Sequence, residues 1–142
     1  MSLRVFKIPG KVQAKQRPRF NTKSGRVYTP QQTVNYESYV KLCYTNFANE
    51  FDWKPFESQI RAEIEVFMSI PKSDTKKKKD LKLSGKIRPT LKPDNDNIAK
   101  SVLDALNGLA YVDDKQVVEL EVKKFYSDEP CVYVRLHELV EG

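Results

Sequence analysis

The chain has 142 residues, and its 25 Lys/Arg against 19 Asp/Glu give a formal net charge of +6 at pH 7. This length predicts a single domain over residues 1–142 that buries its own core. No apolar run approaches the roughly 20 residues of a membrane-spanning helix, and no secretory leader is visible, which excludes a membrane-embedded protein. Cys43 and Cys131 have no metal-ligand spacing, so we expect reduced thiols in a cytoplasmic protein.

The charge is unevenly distributed along the chain. Residues 1–36 carry a charge of +8 without one Asp or Glu, and residues 72–92 carry +7, whereas the remaining residues sum to −9. Two cationic surfaces beside an anionic centre suit a polyanion held around a carboxylate cluster. A merely basic protein is the alternative, but the layout favours nucleic-acid binding.

The N-terminal third predicts extended segments followed by a helix. Residues 3–8 form a short strand, and Gly25 marks a turn between two extended arms. Thr29 can cap a helix that begins at Pro30 and runs to about residue 49, with Gln32 completing a capping box. Its apolar stripe is formed at helical spacing by Tyr36, Val40, Cys43, Tyr44 and Phe47.

The middle of the chain contrasts a regular strand with an irregular segment. Residues 59–70 alternate apolar and polar side chains, which predicts a strand with one buried face. Residues 72–92 include four consecutive lysines and show little periodicity. We predict a basic flexible loop there, because long segments of this kind are usually functional or disordered.

The C-terminal third predicts a helix and two strands. Residues 96–108 have an apolar face and end at Gly108, which suits a helix terminator. Residues 116–126 and 131–137 alternate as strands, and the intervening turn predicts a hairpin. The order of elements indicates an α+β domain, with two main helices packed on a small mixed sheet.

Acidic residues are concentrated around the second helix. Asp94 and Asp96 project the same way if the helix entry is extended, and Lys100 lies one turn beyond Asp96. Asp113 and Asp114 follow the helix, and the spacing permits their approach to Asp94 without proving it. Converging carboxylates of this type select hard divalent ions such as Mg²⁺, which activate water in phosphodiester cleavage.

The same residues also suit purely structural roles. Asp94 is a good N-cap, and Asp96 is favoured in a first helical turn by the helix dipole. Lys100 can form ordinary surface pairs with Asp96 and Asp104, and the Asp113–Asp114 pair suits a turn. The residues alone leave both interpretations open.

The combined pattern closely resembles the RusA family of Holliday junction resolvases. That family shows D-x-D-N-x-x-K, then D-A-L, then D-D-x-Q-V. The matching segments here are Asp94-Asn95-Asp96-Asn97-Ile98-Ala99-Lys100, Asp104-Ala105-Leu106 and Asp113-Asp114-Lys115-Gln116-Val117. The segments Lys15-Gln16-Arg17-Pro18-Arg19-Phe20 and Tyr28-Thr29-Pro30 are similar to the family's basic opening and helix start.

The resemblance implies a homodimeric Mg²⁺-dependent endonuclease acting on branched DNA. Asp94, Asp96 and Asp114 would ligate Mg²⁺, for which Mn²⁺ would substitute, and Lys100 would act in catalysis. Asp113 is the next candidate ligand, and we expect Asp104 to be structural. No nucleotide cofactor or membrane partner is expected. A branched-DNA-binding module that does not cut, and a metal nuclease acting mainly on forks or flaps, remain alternatives.

Basic and aromatic side chains are the candidates for DNA contact. The predicted phosphate contacts, each with a solvated or disordered segment as its alternative, are Lys15, Arg17, Arg19, Lys76, Lys77, Lys78 and Lys79. Phe20, Tyr28 and Trp53 are candidates for stacking on unpaired bases, although core packing is favoured for Trp53. His137 is the single histidine and has no assigned role, which favours metal-activated water over a histidine base.

Overall fold

A computed structural model describes residues 2–14, 18–28 and 30–139. They form an α+β structure with a four-stranded mixed sheet in the order β1-β6-β4-β5 and a separate two-stranded ribbon, β2-β3. The strands are β1 (Leu3–Pro9), β2 (Arg19–Asn21), β3 (Arg26–Tyr28), β4 (Ile60–Ser69), β5 (Val117–Ser127) and β6 (Cys131–Glu138). The helices are α1 (Gln31–Phe51), α2 (Lys76–Leu83) and α3 (Asn95–Leu106).

The sheet has one buried and one polar face, as the alternation in β4 predicts. Ile60, Ala62, Ile64 and Val66 of β4 are fully buried and join inward side chains of α1 and α3 in one core. Successive strand residues point to opposite faces. The residues between the buried ones, Arg61, Glu63 and Glu65, are polar and lie on the other face. Arg61 there binds Glu63 and Glu121.

The predicted hairpin of the last two strands is wrong. β5 pairs with β4 in parallel, and β6 pairs with the opposite edge of β4 in the antiparallel sense. The connection between β5 and β6 therefore crosses the end of β4. The other edge of β6 pairs with β1 in the antiparallel sense. Alternation and turn residues predict two strands here, but they do not show which strands are neighbours.

The prediction of a loop over residues 72–92 is wrong for 76–83, which form α2. Thr75 caps this helix by accepting a hydrogen bond from the backbone N–H of Lys78 at 3.3 Å. Lys82 is buried, pairs with Asp74, and lies 4.6 Å from the ring centroid of Tyr126. The helix lacks an apolar stripe, so hydrophobic periodicity does not reveal it, whereas Lys and Leu both favour helix.

The long helix α1 confirms the predicted apolar stripe. Tyr36, Val40 and Tyr44 are buried, and the helix ends at Asp52, which has a left-handed conformation with φ of 53°. Pro30 precedes the first helical residue without a side-chain cap, and the predicted cap, Thr29, lies outside the described residues. Trp53 packs against Tyr44 at 5.6 Å between ring centroids, which confirms core packing for it.

Two further predictions concern the thiols and the membrane. Cys43 and Cys131 are both free, and burial raises the pKa of each thiol. No helix within the described part of the chain is long and apolar enough to cross a bilayer.

Candidate active site

The entry to α3 carries two of the predicted ligands. Asp94 is extended, with φ of −75° and ψ of 165°, and its Oδ1 accepts a hydrogen bond from the backbone N–H of Asn97 at 2.9 Å. Asp96 is exposed in the first turn, and its Oδ2 lies 3.6 Å from Nζ of Lys100. Asp94 is thus a cap in fact, yet its carboxylate stays exposed and open to further ligation. We call Asp94 and Asp96 the N-terminal acid pair.

A lysine that the sequence did not single out holds this entry in place. Nζ of Lys124, on β5, donates hydrogen bonds to the carbonyl oxygens of Leu91 at 2.5 Å and Pro93 at 2.9 Å. The Nδ2 of Asn95 lies 3.4 Å from the carbonyl oxygen of Val122, also on β5. The N-terminal acid pair is therefore anchored to the edge of the sheet. The signal in the sequence is a lysine at a position where the alternation of Leu120, Val122 and Tyr126 calls for an apolar residue.

The second acidic motif is a tightly bonded 3₁₀ turn over residues 114–116. Asp113 caps it by accepting a hydrogen bond from the backbone N–H of Lys115 at 3.0 Å, and Oε1 of Gln116 accepts from the backbone N–H of Asp113 at 2.9 Å. The Nε2 of Gln116 donates to the carbonyl oxygens of Phe56 and Ser58 at 2.9 and 2.8 Å. The glutamine of D-D-x-Q-V thus fixes the two aspartates to the body of the domain, a role that the motif alone does not reveal.

The turn lies against the C-terminal end of α3. The backbone N–H of Asp114 donates to Oδ1 of Asn107, the residue that ends α3, at 3.2 Å. Asp104, one turn earlier on α3, acts on Asp114 through its charge. We call Asp104, Asp113 and Asp114 the C-terminal acid cluster. Asp104, expected to be structural, is therefore a neighbour of the predicted ligands.

Like charges are crowded in this cluster. A side-chain hydrogen bond with Asp113 raises the pKa of Asp114, and desolvation and the charges of Asp113 and Asp104 raise it further. The backbone N–H of Lys115 and the hydrogen bond with Asp114 lower the pKa of Asp113. The two carboxyl groups therefore titrate together, and Asp114 is the one that takes up a proton first as the pH falls. The C-terminal end of a helix is also unfavourable for anions.

Tyr111 lies beneath the cluster. It is fully buried, and its hydroxyl group donates to the carbonyl oxygen of Leu103. Burial raises its pKa, and the charges of Asp114, Asp104 and Asp113 raise it further. The side chain beneath the cluster is therefore neutral.

The two acidic groups lie at opposite ends of α3. With a rise of 1.5 Å per residue, Asp94 is roughly 15 Å along the helix from Asp104 and roughly 20 Å from Asn107. Among residues 2–14, 18–28 and 30–139, no three Asp, Glu, His or Cys side chains are placed to hold one metal ion. Convergence of Asp94, Asp96 and Asp114 on a shared ion therefore stays a prediction. Each group separately offers the carboxylate oxygens that Mg²⁺ prefers, and Mg²⁺ needs only one or two of them.

The basic candidates divide between the ribbon and α2. Arg19 is exposed on β2, and of the lysine run only Lys79 is partly covered. Lys15 and Arg17 lie outside the described residues. A cavity of about 300 Å³ opens near the entry to α3, and its lining includes Lys11, Lys92, Phe67 and Leu91. Positive charge therefore flanks the N-terminal acid pair.

Comparisons with known proteins identify the family of the chain. The family model described as "Endodeoxyribonuclease RusA" matches residues 9–137. A protein of Bacillus subtilis (strain 168), printed as "Uncharacterized protein YqaN", is 39% identical over 138 residues, which cover 94% of this chain and 95% of that protein. Both matches span the acidic motifs at either end of α3.

Proposed function

Because this chain belongs to the RusA family of endodeoxyribonucleases, we propose that it is an Mg²⁺-dependent endonuclease that resolves four-way DNA junctions by paired, symmetric nicks. The observation that carries the proposal is the polar face of α3. It presents Lys100 one turn from Asp96, and near the other end of the helix the charges of Asp113 and Asp104 disfavour the ionised form of Asp114. Such an arrangement is costly for stability alone and useful for phosphodiester chemistry.

The proposed ligands are Asp94, Asp96, Asp113 and Asp114, with Mn²⁺ able to replace Mg²⁺. When bound, the ion supplies an activated water and stabilises the leaving oxygen of the cleaved phosphodiester. Lys100 binds the scissile phosphate and favours the charge that develops on it, and its ion pair with Asp96 holds it on the same face. Lys124 and Gln116 are positioning residues that fix the two ends of this face.

Basic side chains hold the DNA arms around this face. The residues that bind phosphates in this proposal are Lys15, Arg17, Arg19, and Lys76, Lys77, Lys78 and Lys79 of α2. Such contacts position the substrate without reading its sequence. The free thiols and the proposed DNA substrate support a cytoplasmic location.

The proposed homodimer brings together two acidic groups that α3 keeps apart within one chain. A second chain with α3 in the opposite direction brings its C-terminal acid cluster to the N-terminal acid pair of the first, and twofold symmetry creates the same site again. Two equivalent sites suit two symmetric nicks. The proposal therefore includes a shared site, with Asp94 and Asp96 from one chain and Asp113 and Asp114 from the other.

The direct test uses the purified full chain with a synthetic mobile four-way junction. With Mg²⁺ or Mn²⁺ we expect paired nicks that a ligase can seal, and with EDTA we expect binding without nicks. Asp94→Asn is the matched variant, because Asn also caps helices well and preserves the helix entry. We expect it to bind the junction and to lose cutting.

Three results would contradict the proposal in different ways. Tight junction binding without cutting in any metal would make the protein a branched-DNA-binding module. Faster cutting of forks or flaps than of four-way junctions would assign another substrate. Equal cutting by wild type and Asp94→Asn would remove the assignment of the active site.

A further inference from the structure

The turn of the ribbon β2-β3 is well hydrogen-bonded, but the two strands bury little of their surface. Gly25, at φ of 69°, closes its turn, where Oδ1 of Asn21 accepts hydrogen bonds from the backbone N–H groups of Lys23 and Ser24. All six residues of the two strands are nevertheless exposed. A two-stranded ribbon is marginal in water without a packing partner, so its exposed side chains require a partner outside the chain's own core.

The two faces of the ribbon differ in chemistry. Arg19 pairs with Tyr28, and Asn21 pairs with Arg26, while Phe20 pairs with Val27. Because directly paired residues share a face, one face is cationic and hydrogen-bonding, and the other is an apolar pair. Phe20 is 62% exposed and Val27 is 69% exposed. We call Phe20 and Val27 the apolar face of the ribbon.

Charge identifies the partner of the ribbon. Arg19, Lys23 and Arg26 belong to a segment of 36 residues without one acidic side chain. Such a surface attracts a polyanion, and it repels a copy of itself. Apolar side chains beside cationic ones are the combination with which proteins enter a gap between base pairs while holding the flanking phosphates.

We propose that the apolar face of the ribbon, Phe20 with Val27, inserts at the branch point of the DNA and stacks on bases that are unpaired there. Arg19, Lys23 and Arg26 hold the adjoining phosphates. This inference deepens the proposed function and rests on its branched-DNA substrate. It assigns selectivity for branched over continuous duplex to two apolar residues, because unstacking is cheapest where base pairs already end.

The structure also separates these residues from the other aromatic candidates. Trp53 packs on Phe51 at 5.5 Å and Tyr44 at 5.6 Å between ring centroids, so it is committed to the protein. Tyr28 is on the cationic face, paired with Arg19, where it is placed to contact the DNA backbone. Stacking on bases is therefore assigned to Phe20 and not to Tyr28 or Trp53.

The test measures binding in EDTA, so that cutting does not enter. One DNA is a four-way junction with 2-aminopurine at the branch point, and the other is a continuous duplex of equal length. For the variant Phe20→Ala/Val27→Ala we expect about tenfold weaker junction binding, from the loss of stacking on a single base. We also expect unchanged duplex binding by this variant. Wild type should raise 2-aminopurine fluorescence by unstacking the base at the branch point, and the variant at saturation should not.

Matched variants separate the two faces. Arg19→Ala/Arg26→Ala should weaken binding to both DNAs and reduce its salt dependence, yet keep the fluorescence rise at saturation. Phe20→Tyr retains a ring and should behave like wild type. Leu42→Ala removes an equally exposed apolar residue from α1, and we expect no change. Thermal unfolding of each variant checks that the fold is intact.

The inference fails if the double alanine variant loses affinity equally for both DNAs, or for neither. It also fails if that variant turns a wild-type dimer into a monomer in sedimentation, since the apolar face would then bind protein. Cutting of the junction by wild type in Mg²⁺ is measured separately. A wild type that cuts while Phe20 and Val27 prove dispensable would leave the proposed function standing, and Phe20-dependent binding without cutting would leave the inference standing.

Discussion

The two ends of α3 carry acidic residues in opposite electrostatic settings. At the N-terminal end, Asp94 caps the helix and Asp96 lies near Lys100, so the helix dipole and a cation both favour the negative charges. At the C-terminal end, Asp113 and Asp114 share a hydrogen bond beside Asp104, where the dipole is unfavourable. The first arrangement stabilises a helix by itself, whereas in the second the neighbouring charges disfavour the ionised form of Asp114.

The difference separates evidence for structure from evidence for function. Helix capping and a surface ion pair are sufficient reasons for the N-terminal acid pair. Asp113 likewise has a local reason, since it caps the 3₁₀ turn, whereas the charges of Asp113 and Asp104 disfavour the ionised form of Asp114. Helix capping therefore explains less of the charge at the C-terminal end of α3 than at the N-terminal end, although the family motif includes residues at both ends.

The largest expected effect comes from mixing inactive chains. Asp94→Asn and Asp114→Asn should each cut more than about 100-fold more slowly, since even outer-shell changes at metal sites cost 10- to 100-fold. An equimolar mixture should recover roughly a quarter of wild-type cutting, as single nicks, because a mixed dimer regenerates one intact shared site. Nicking gels on four-way junctions measure both quantities.

The mixture discriminates between the two arrangements of the site. If all ligands came from one chain, each chain of the mixed dimer would lack one ligand, and cutting would stay at the level of the single variants. Mixing Asp94→Asn with Asp96→Asn is the matched control. It should remain inactive in either arrangement, because both changes affect the same end of α3.

The second prediction concerns Lys100, between the two ends. Lys100→Met should slow cutting about 100-fold, by the loss of one charge that stabilises the transition state, while junction binding changes little. Lys100→Arg should retain more activity than Lys100→Met. Because an exposed ion pair contributes under about 1 kcal/mol to stability, Lys100→Met should remain folded. Normal cutting by this variant would mean that Lys100 is only a surface partner of Asp96.

The third prediction concerns the free energy of unfolding, which should fall more after a change at the C-terminal end of α3 than after one at the N-terminal end. Gln116→Ala removes hydrogen bonds to Asp113, Phe56 and Ser58, and we expect about 2 kcal/mol lower free energy of unfolding. Asp94→Ala should cost about 1 kcal/mol through loss of the N-cap, and Asp94→Asn close to nothing. Urea unfolding measures these differences, and a neutral Gln116→Ala would show that the turn holds without its anchor.

The smallest expected effect is a shift in titration. The pKa of Asp114 is raised in the folded chain, so its proton is held to higher pH, and Mg²⁺ affinity should rise as pH increases through that value. Asp113→Asn removes the neighbouring negative charge, so the pKa of Asp114 should fall and the midpoint of metal binding should move to lower pH. Carboxyl NMR titration follows it, with Asp96→Asn as the control that leaves Asp114 unmoved.

Local patterns predicted most elements but not their neighbours. The alternation over residues 59–70 and the apolar face of residues 96–108 correspond to β4 and α3, because burial on one face imposes a period on the sequence. The helix over Lys76–Leu83 has no apolar face and was missed. The insertion of β4 between β5 and β6 was also missed, because the turn at residues 127–130 has the same composition whether the strands pair or not.

The sequence by itself determined the α+β class, the acid–lysine motif with its resemblance to a nuclease family, and the cap at Asp94. Each depends on residues that are close along the chain. Only the tertiary structure decided that the backbone N–H of Asp114 bonds to Asn107 at the end of α3, that Lys124 and Gln116 hold the two ends of α3, and that Phe20 pairs with Val27. These contacts follow from the path of the chain between elements. A helix of fixed rise keeps its ends apart however closely the motif places them in sequence.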